Sequence, residues 1–134
     1  MAKLKVEVVT PERRLVQVEA DEVIAPGAEG LFGVRPGHAP FLSLLSPGPL
    51  TVKSGGKNEL FFVAGGFVEV GAHNVRVLAD AAQPAKDIDA AAAKKRIADA
   101  ETALKGLEVT DPRAQPHREL IRREQKRLEV GAMK

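Results

Sequence analysis

The side chains able to do chemistry are few, and their order in the chain keeps them apart. Acyl-transfer hydrolysis needs a nucleophile beside a base, and acid–base catalysis needs titratable groups that converge in one cleft. The nucleophile candidates are Ser43, Ser46, Ser54 and a few threonines, and the bases are His38, His73 and His117. These histidines fall in a turn, a hairpin and a helix start, so nothing local assembles them, and their spacing is not that of a zinc site. Cysteine is absent, which removes thiol nucleophiles, thiolate ligands and disulfides together. Gly27, Gly30 and Gly33, and the pair Gly65-Gly66, resemble phosphate loops only superficially. A dinucleotide fingerprint sits between a parallel strand and a helix, and a phosphate loop ends in Lys-Ser or Lys-Thr. Neither context is present, so these glycines are expected to serve tight turns, a bulge or close backbone crossings. Catalysis is therefore not expected.

The other charged cluster lies near the end of the chain: Arg113, Arg118, Arg122, Arg123, Lys126 and Arg127. Such a set can touch phosphates. Glu119, Glu124 and Glu129 are interleaved with it and weaken its field, and no aromatic residue lies nearby to stack on a base. The net charge of +2 is mild, and the basic excess sits after residue 85, where 12 basic residues face 9 acidic ones. No nucleic-acid partner is expected. The opening Met1 to Glu7 turns acidic before any long apolar run, so neither a signal peptide nor a membrane span is expected there.

The elements that carry these residues are of two kinds. With 134 residues, the chain has room for one ordinary domain or a small domain plus an appendage. From Met1 to about Asp80 the apolar residues alternate. Leu4, Val6 and Val8 are separated by Lys5 and Glu7, as in a strand with one face in a core. Leu15 to Ile24 reads as a second strand with a bulge where the alternation slips, ended by Pro26-Gly27. Further strands are predicted over 31–34, 41–45, 50–53, 60–64, 67–70 and 75–78. Ser54 to Asn58 and Gly71 to Asn74 read as hairpin turns. Many short strands at this spacing indicate an antiparallel sandwich or barrel.

After Gln83-Pro84 the pattern changes. Asp87 or Asp89 can cap a helix over 88–107, on which Ala93, Ile97, Ala100, Leu104 and Leu107 form a narrow apolar stripe. Gly106, Thr110-Asp111-Pro112 and Pro116 interrupt it, and a second helix is predicted over about 117–130. On that helix Leu120, Ile121 and Leu128 share a sector, Arg122 and Lys126 face away, and Arg123 and Arg127 flank the stripe. An antiparallel hairpin of this kind buries little by itself and must lean on something else.

Two motifs now carry a resemblance. Glu29-Gly30-Leu31-Phe32-Gly33-Val34-Arg35-Pro36-Gly37-His38-Ala39-Pro40-Phe41 and Val63-Ala64-Gly65-Gly66-Phe67-Val68-Glu69-Val70, the latter followed by Asn74 to Asp80, resemble the epsilon subunit family of bacterial F-type ATP synthases, equivalent to the mitochondrial delta subunit. The likeness continues through Ile88-Asp89 to Arg127-Leu128. It implies a sandwich of about ten strands over 1–84 and a regulatory two-helix domain over 85–134. The family's sandwich sits on the membrane-embedded c-ring and grips the gamma shaft, and its helices either fold against the sandwich or extend toward the alpha and beta subunits to restrain ATP hydrolysis. The implied role is a non-catalytic rotor part, peripheral to the cytoplasmic face of the bacterial inner membrane.

By the same resemblance, Glu29, Leu31, Arg35, His38, Leu42 and Ser43 would meet gamma or the ring. Family members often carry an acidic residue where Leu31 stands, so the contact here is expected to be more apolar, or shifted to Leu42 and Ser43. Arg122, Arg123, Lys126 and Arg127 would meet the beta subunit in the extended state. Some relatives bind ATP between the helices through an Ile-Asp-x-x-Arg-Ala motif and second-helix arginines. Asp89, Arg123 and Arg127 match that site, but Ala92 takes the arginine position, so no cofactor is required and any ATP binding is expected to be weak. The rival reading is a stand-alone β-domain adaptor that docks a peptide or protein through a helical tail.

Overall fold

The computed structural model describes residues 3–133, so Met1, Ala2 and Lys134, with the chain start expected to lack a signal sequence, lie outside the described residues. Ten strands form two five-stranded sheets. The strands are β1 (Leu4–Val9), β2 (Arg14–Ala20), β3 (Glu22–Gly27), β4 (Gly30–Val34), β5 (Phe41–Leu44), β6 (Gly48–Ser54), β7 (Lys57–Ala64), β8 (Phe67–Val70), β9 (Asn74–Leu78) and β10 (Ala81–Pro84). One sheet has the order β2-β1-β9-β8-β5 and the other β10-β7-β6-β3-β4. All neighbours are antiparallel except β1 and β9.

The alternation read from sequence is what fills the space between the sheets. Leu4, Val6 and Val8 from β1 meet Val68, Val75 and Val77 of their own sheet and Val23, Leu50, Val52, Phe61 and Val63 of the other. With few aromatics, branched aliphatic side chains make up most of this core.

Two expectations change. The stretch expected to be one bulged strand is β2 and β3, which belong to different sheets. The slip in alternation is a corner at Asp21, whose N–H donates to the Lys53 carbonyl at 2.7 Å and whose carboxylate accepts from Lys3 and from the Gly55 N–H. The Lys3 hydrogen bond, helped by the Gly55 N–H, holds the Asp21 carboxyl below its usual pKa. A bulge does occur at the start of this stretch, where Val8 pairs with Val16 and Val9 with Arg14, so Leu15 of β2 is the extra residue. The tenth strand, β10, was not read from sequence because Ala-Ala-Gln-Pro has little strand propensity; pairing with β7 determines it.

The glycines act as expected. Gly55 and Gly56, both at positive φ, close the two-residue hairpin between β6 and β7. Gly66, at φ +89°, crosses so close to the Leu78 carbonyl that a β-carbon there would overlap it.

After a short 3₁₀ turn (Ala85–Asp87), α1 spans Ala90–Leu104 and α2 Ala114–Met133. Asp89 caps α1, accepting from the Ala92 N–H at 3.1 Å. Pro116 does not break the second helix. It falls in the first turn of α2, where no intrahelical donor is needed, so the helix starts three residues earlier than predicted. No helix among the described residues is long and apolar enough to cross a membrane.

The hairpin leans on the sandwich through α2, which lies across β7 and β6, while α1 packs chiefly on α2. A second apolar cluster forms there from Phe62, Ala64, Ala85, Ile88 and Val130. Gly131 makes room for Ile88 here, since a β-carbon at this position would stand 3.2 Å from Ile88 Cγ2.

Candidate functional site

The residues expected to make contacts separate into two places. At one end of the sandwich, β4 and β5 are the edge strands of the two sheets, and the turn between β3 and β4 is stitched to β5 by the Ala28 N–H donating to the Leu44 carbonyl at 3.0 Å. An open groove there is lined by Glu29, Leu31, His38, Leu42 and Ser43, together with Phe32, Phe41 and Leu44. Five of the six residues expected at a shaft or ring contact are thus brought together. Arg35 stands apart from the groove and pairs with Glu22 at 3.4 Å.

The walls of this groove are stiff. Phe41 packs edge-on to Phe32 with ring centroids 5.2 Å apart, and the His38 ring lies 5.2 Å from Phe41. Leu31, Leu42 and Leu44 are 62%, 66% and 67% exposed, an unusual density of large apolar side chains in water.

Sequence reasoning missed how far this surface extends. Strand register places Leu44 opposite Phe67, Phe67 opposite Leu78, and Leu78 beside Val9. Their neighbours Val68, Val77 and Val8 point into the core, so this row lies on the outer face of the sheet. The apolar row continues from the β4–β5 edge across four strands to a shallow groove at Val9, Pro11, Phe67 and Leu78. No single strand carries it in sequence, because each contributes one residue.

The second place is the packing surface of α2. Arg122, expected to face away, borders a cleft between α2 and the sandwich with Asp80, Glu119 and Arg123. Lys126 pairs with Glu129 at 3.2 Å. Arg127 turns inward: its Nη1 donates to Gln83 Oε1 at 2.7 Å, and its guanidinium carbon lies 4.5 Å from the centre of the Phe62 ring.

At the centre of these contacts is Glu124, a fully buried carboxylate. It accepts from Arg96 of α1 at 2.7 Å and from Arg127 at 3.0 and 3.2 Å, with Arg123 at 3.4 Å. Burial by itself pushes the Glu124 carboxyl up, but the Arg96 hydrogen bond and the Arg127 charge outweigh that, so its pKa lies below the usual glutamate value. In the sequence Glu124 looked like one of three acids diluting a basic face. The nearest signal is the run Phe61-Phe62-Val63-Ala64, apolar on both faces of one strand, which calls for a cover on its outer side without naming that cover.

In the folded-back hairpin the positions implied for a nucleotide site are engaged in other contacts or carry no charge. Asp89 is occupied as a helix cap, Ala92 supplies no cation, and Arg123 and Arg127 are directed to an internal carboxylate.

The fold and these surfaces define a β-sandwich that presents an apolar edge and carries a helical hairpin folded back on its opposite sheet. Comparison with known proteins agrees. Residues 3–85 match the family described as ATP synthase, Delta/Epsilon chain, beta-sandwich domain. The ATP synthase epsilon chain of Myxococcus xanthus (strain DK1622) is 55% identical over 128 residues, covering 96% of this chain and 94% of that one. The epsilon chain of Anaeromyxobacter sp. (strain K) is 43% identical, covering 96% and 97%. A chain in the Euglena gracilis mitochondrial ATP synthase structure of OSCP, F1 and c-ring has a TM-score of 0.73 at 23% identity, covering 98% of this chain and 79% of its own. One in the Tetrahymena thermophila mitochondrial ATP synthase central stalk and c-ring has a TM-score of 0.59 at 18% identity, covering 96% and 99%. These two likenesses bear on the fold. The chain belongs to the ATP synthase delta/epsilon chain family.

Proposed function

We propose that this chain is the non-catalytic central-stalk subunit of an F-type ATP synthase, coupling the gamma shaft to the membrane ring and restraining ATP hydrolysis through its C-terminal helices. It performs no chemistry itself. The sandwich, residues 1–84, is the rotor clamp, and residues 85–134 form the regulatory hairpin. Within the complex, the chain is peripheral to the cytoplasmic face of the inner membrane.

One observation carries this reading in a chain of this family: the exposed Leu42 and Leu44 of β5, with Leu31 beside them on β4, continue through Phe67 and the half-buried Leu78 over a sheet face on which neither helix packs among the described residues. A clamp that transmits torque needs a broad dry contact on a stiff support, and two stitched sheets supply one. Glu29, His38 and Ser43 form the polar rim of this contact with gamma and the ring, with Arg35 outside the groove. Arg122, Arg123, Lys126 and Arg127 are the cations that would meet the beta subunit once the tail leaves the sandwich. Arg127, only 17% exposed, is held by Glu124 in the folded-back state, which supports a tail that frees this cation on release.

The test is affinity purification of the tagged chain from its host. Wild type should recover alpha, beta and gamma subunits. Leu42→Asp with Leu44→Asp should leave the isolated chain folded, because both side chains are solvent-exposed, and should abolish that recovery. Recovery equal to wild type would exclude the row as the rotor contact. Failure of wild type to recover any ATPase subunit would favour the stand-alone adaptor.

A further inference from the structure

We propose that Glu124 is an internal anion that latches the helical tail to the sandwich, taking the place of a nucleotide as the counter-charge for the hairpin's arginines. Both helices meet at this carboxylate, and the sandwich joins them through Arg127. Arg96 reaches it from α1 at 2.7 Å, and Arg127, on α2, reaches it at 3.0 Å. The same Arg127 is anchored on the sandwich by Gln83 and the face of Phe62. One buried charge therefore fixes α1 to α2, and α2 to the sheet.

Exposure along the contact shows which links can open. Arg96 is 51% exposed and Arg127 only 17%. Removing Arg96 loses the α1 link from its wet side and leaves the docked side intact. Removing the Glu124 charge instead strands Arg127 in a partly desolvated position beside Phe62 with no carboxylate, and both links weaken together. Ala92 offers no cation, but Arg96 lies one turn further along the same face of α1, so the first helix still presents a guanidinium. That guanidinium is spent on protein. The latch concerns the same tail that the proposed function treats as a brake, but its existence can be read on the isolated full-length chain without any assembled enzyme.

The experiment is amide hydrogen exchange of the isolated chain, comparing wild type, Glu124→Gln and Arg96→Gln, each with and without ATP. Glu124→Gln should speed exchange across both helices by about tenfold or more while β1 and β9 keep wild-type protection. Arg96→Gln should speed α1 far more than α2. ATP should leave wild-type exchange unchanged. Unchanged helix protection in Glu124→Gln, equal loss of protection in the core strands, or stabilisation of wild type by ATP would each overturn the latch. Hydrolysis by the assembled complex carrying Glu124→Gln then tests the brake separately, since a tail that loosens without changing hydrolysis keeps the latch and removes the brake.

Discussion

Glu124 is the residue at which charge, packing and conformation meet. Its carboxyl binds a proton less readily in the docked state than in an unfolded chain, because the cost of burial is outweighed by the Arg96 hydrogen bond and the Arg127 charge, while the sandwich meets Arg127 through the uncharged Gln83 and Phe62. A carboxyl with a depressed folded-state pKa stabilises fully above the ordinary glutamate value, and that contribution fades as pH falls through the lower folded-state value. The tail should therefore stay docked through neutral and alkaline pH and detach on acidification below the usual carboxylate range. Amide NMR of α1 and α2 during an acid titration measures this, and Glu124→Gln should lose the step. A tail that releases on alkalinisation instead would contradict the sign. Little of this was legible beforehand. Helical spacing placed Arg123 and Arg127 beside the apolar stripe, but a wheel cannot say that Glu124 lies beneath a second helix.

At the scale of elements, β7 and α2 depend on each other. Phe61 faces the sandwich core and Phe62, next along, faces α2, so β7 is buried on both sides only while the tail is docked. Phe62→Ala removes the ring beneath Arg127 and the largest member of the second apolar cluster. It should weaken docking by about 3 kcal/mol, in the range of large core truncations. The sandwich, whose own core keeps Phe61, should stay folded. Limited proteolysis checks this: faster cleavage within 105–113 and 85–89, with residues 4–80 still resistant, is the expected result, and global digestion would show that Phe62 supports the sandwich itself. The hairpin's need for support was legible in its thin stripe of Ala93, Ala100 and a few larger residues. The identity of the supporting face was not, because Phe61-Phe62-Val63-Ala64 reads locally as any buried strand.

For the molecule as a whole, the two sheets have different outer faces. One is covered by α2, and the other presents the apolar row ending at Leu42 and Leu44. A chain truncated after Pro84 should fold but expose Phe62 and Ala64, adding a second apolar surface. Gel filtration should show concentration-dependent self-association of this truncation, reversed by Phe62→Lys. A monomeric truncation with its ring still buried would mean that another element covers β7.

The sequence by itself determined the sort of elements and their order. Alternation in Leu4 to Val8, glycines at Gly55-Gly56 and Gly65-Gly66, and the Asp89 cap act within a few residues of chain, so their physics is local and readable. It also carried the family resemblance through Glu29 to Phe41 and Val63 to Val70. Only the tertiary structure decided the corner at Asp21, the strand status of Ala81–Pro84, the apolar row assembled from four strands, and the burial of Glu124 of α2 against Arg96 and Arg127. Each depends on partners tens of residues away. Whether a side chain is exposed, paired or buried depends on which faces meet, and periodicity within one element does not contain that information.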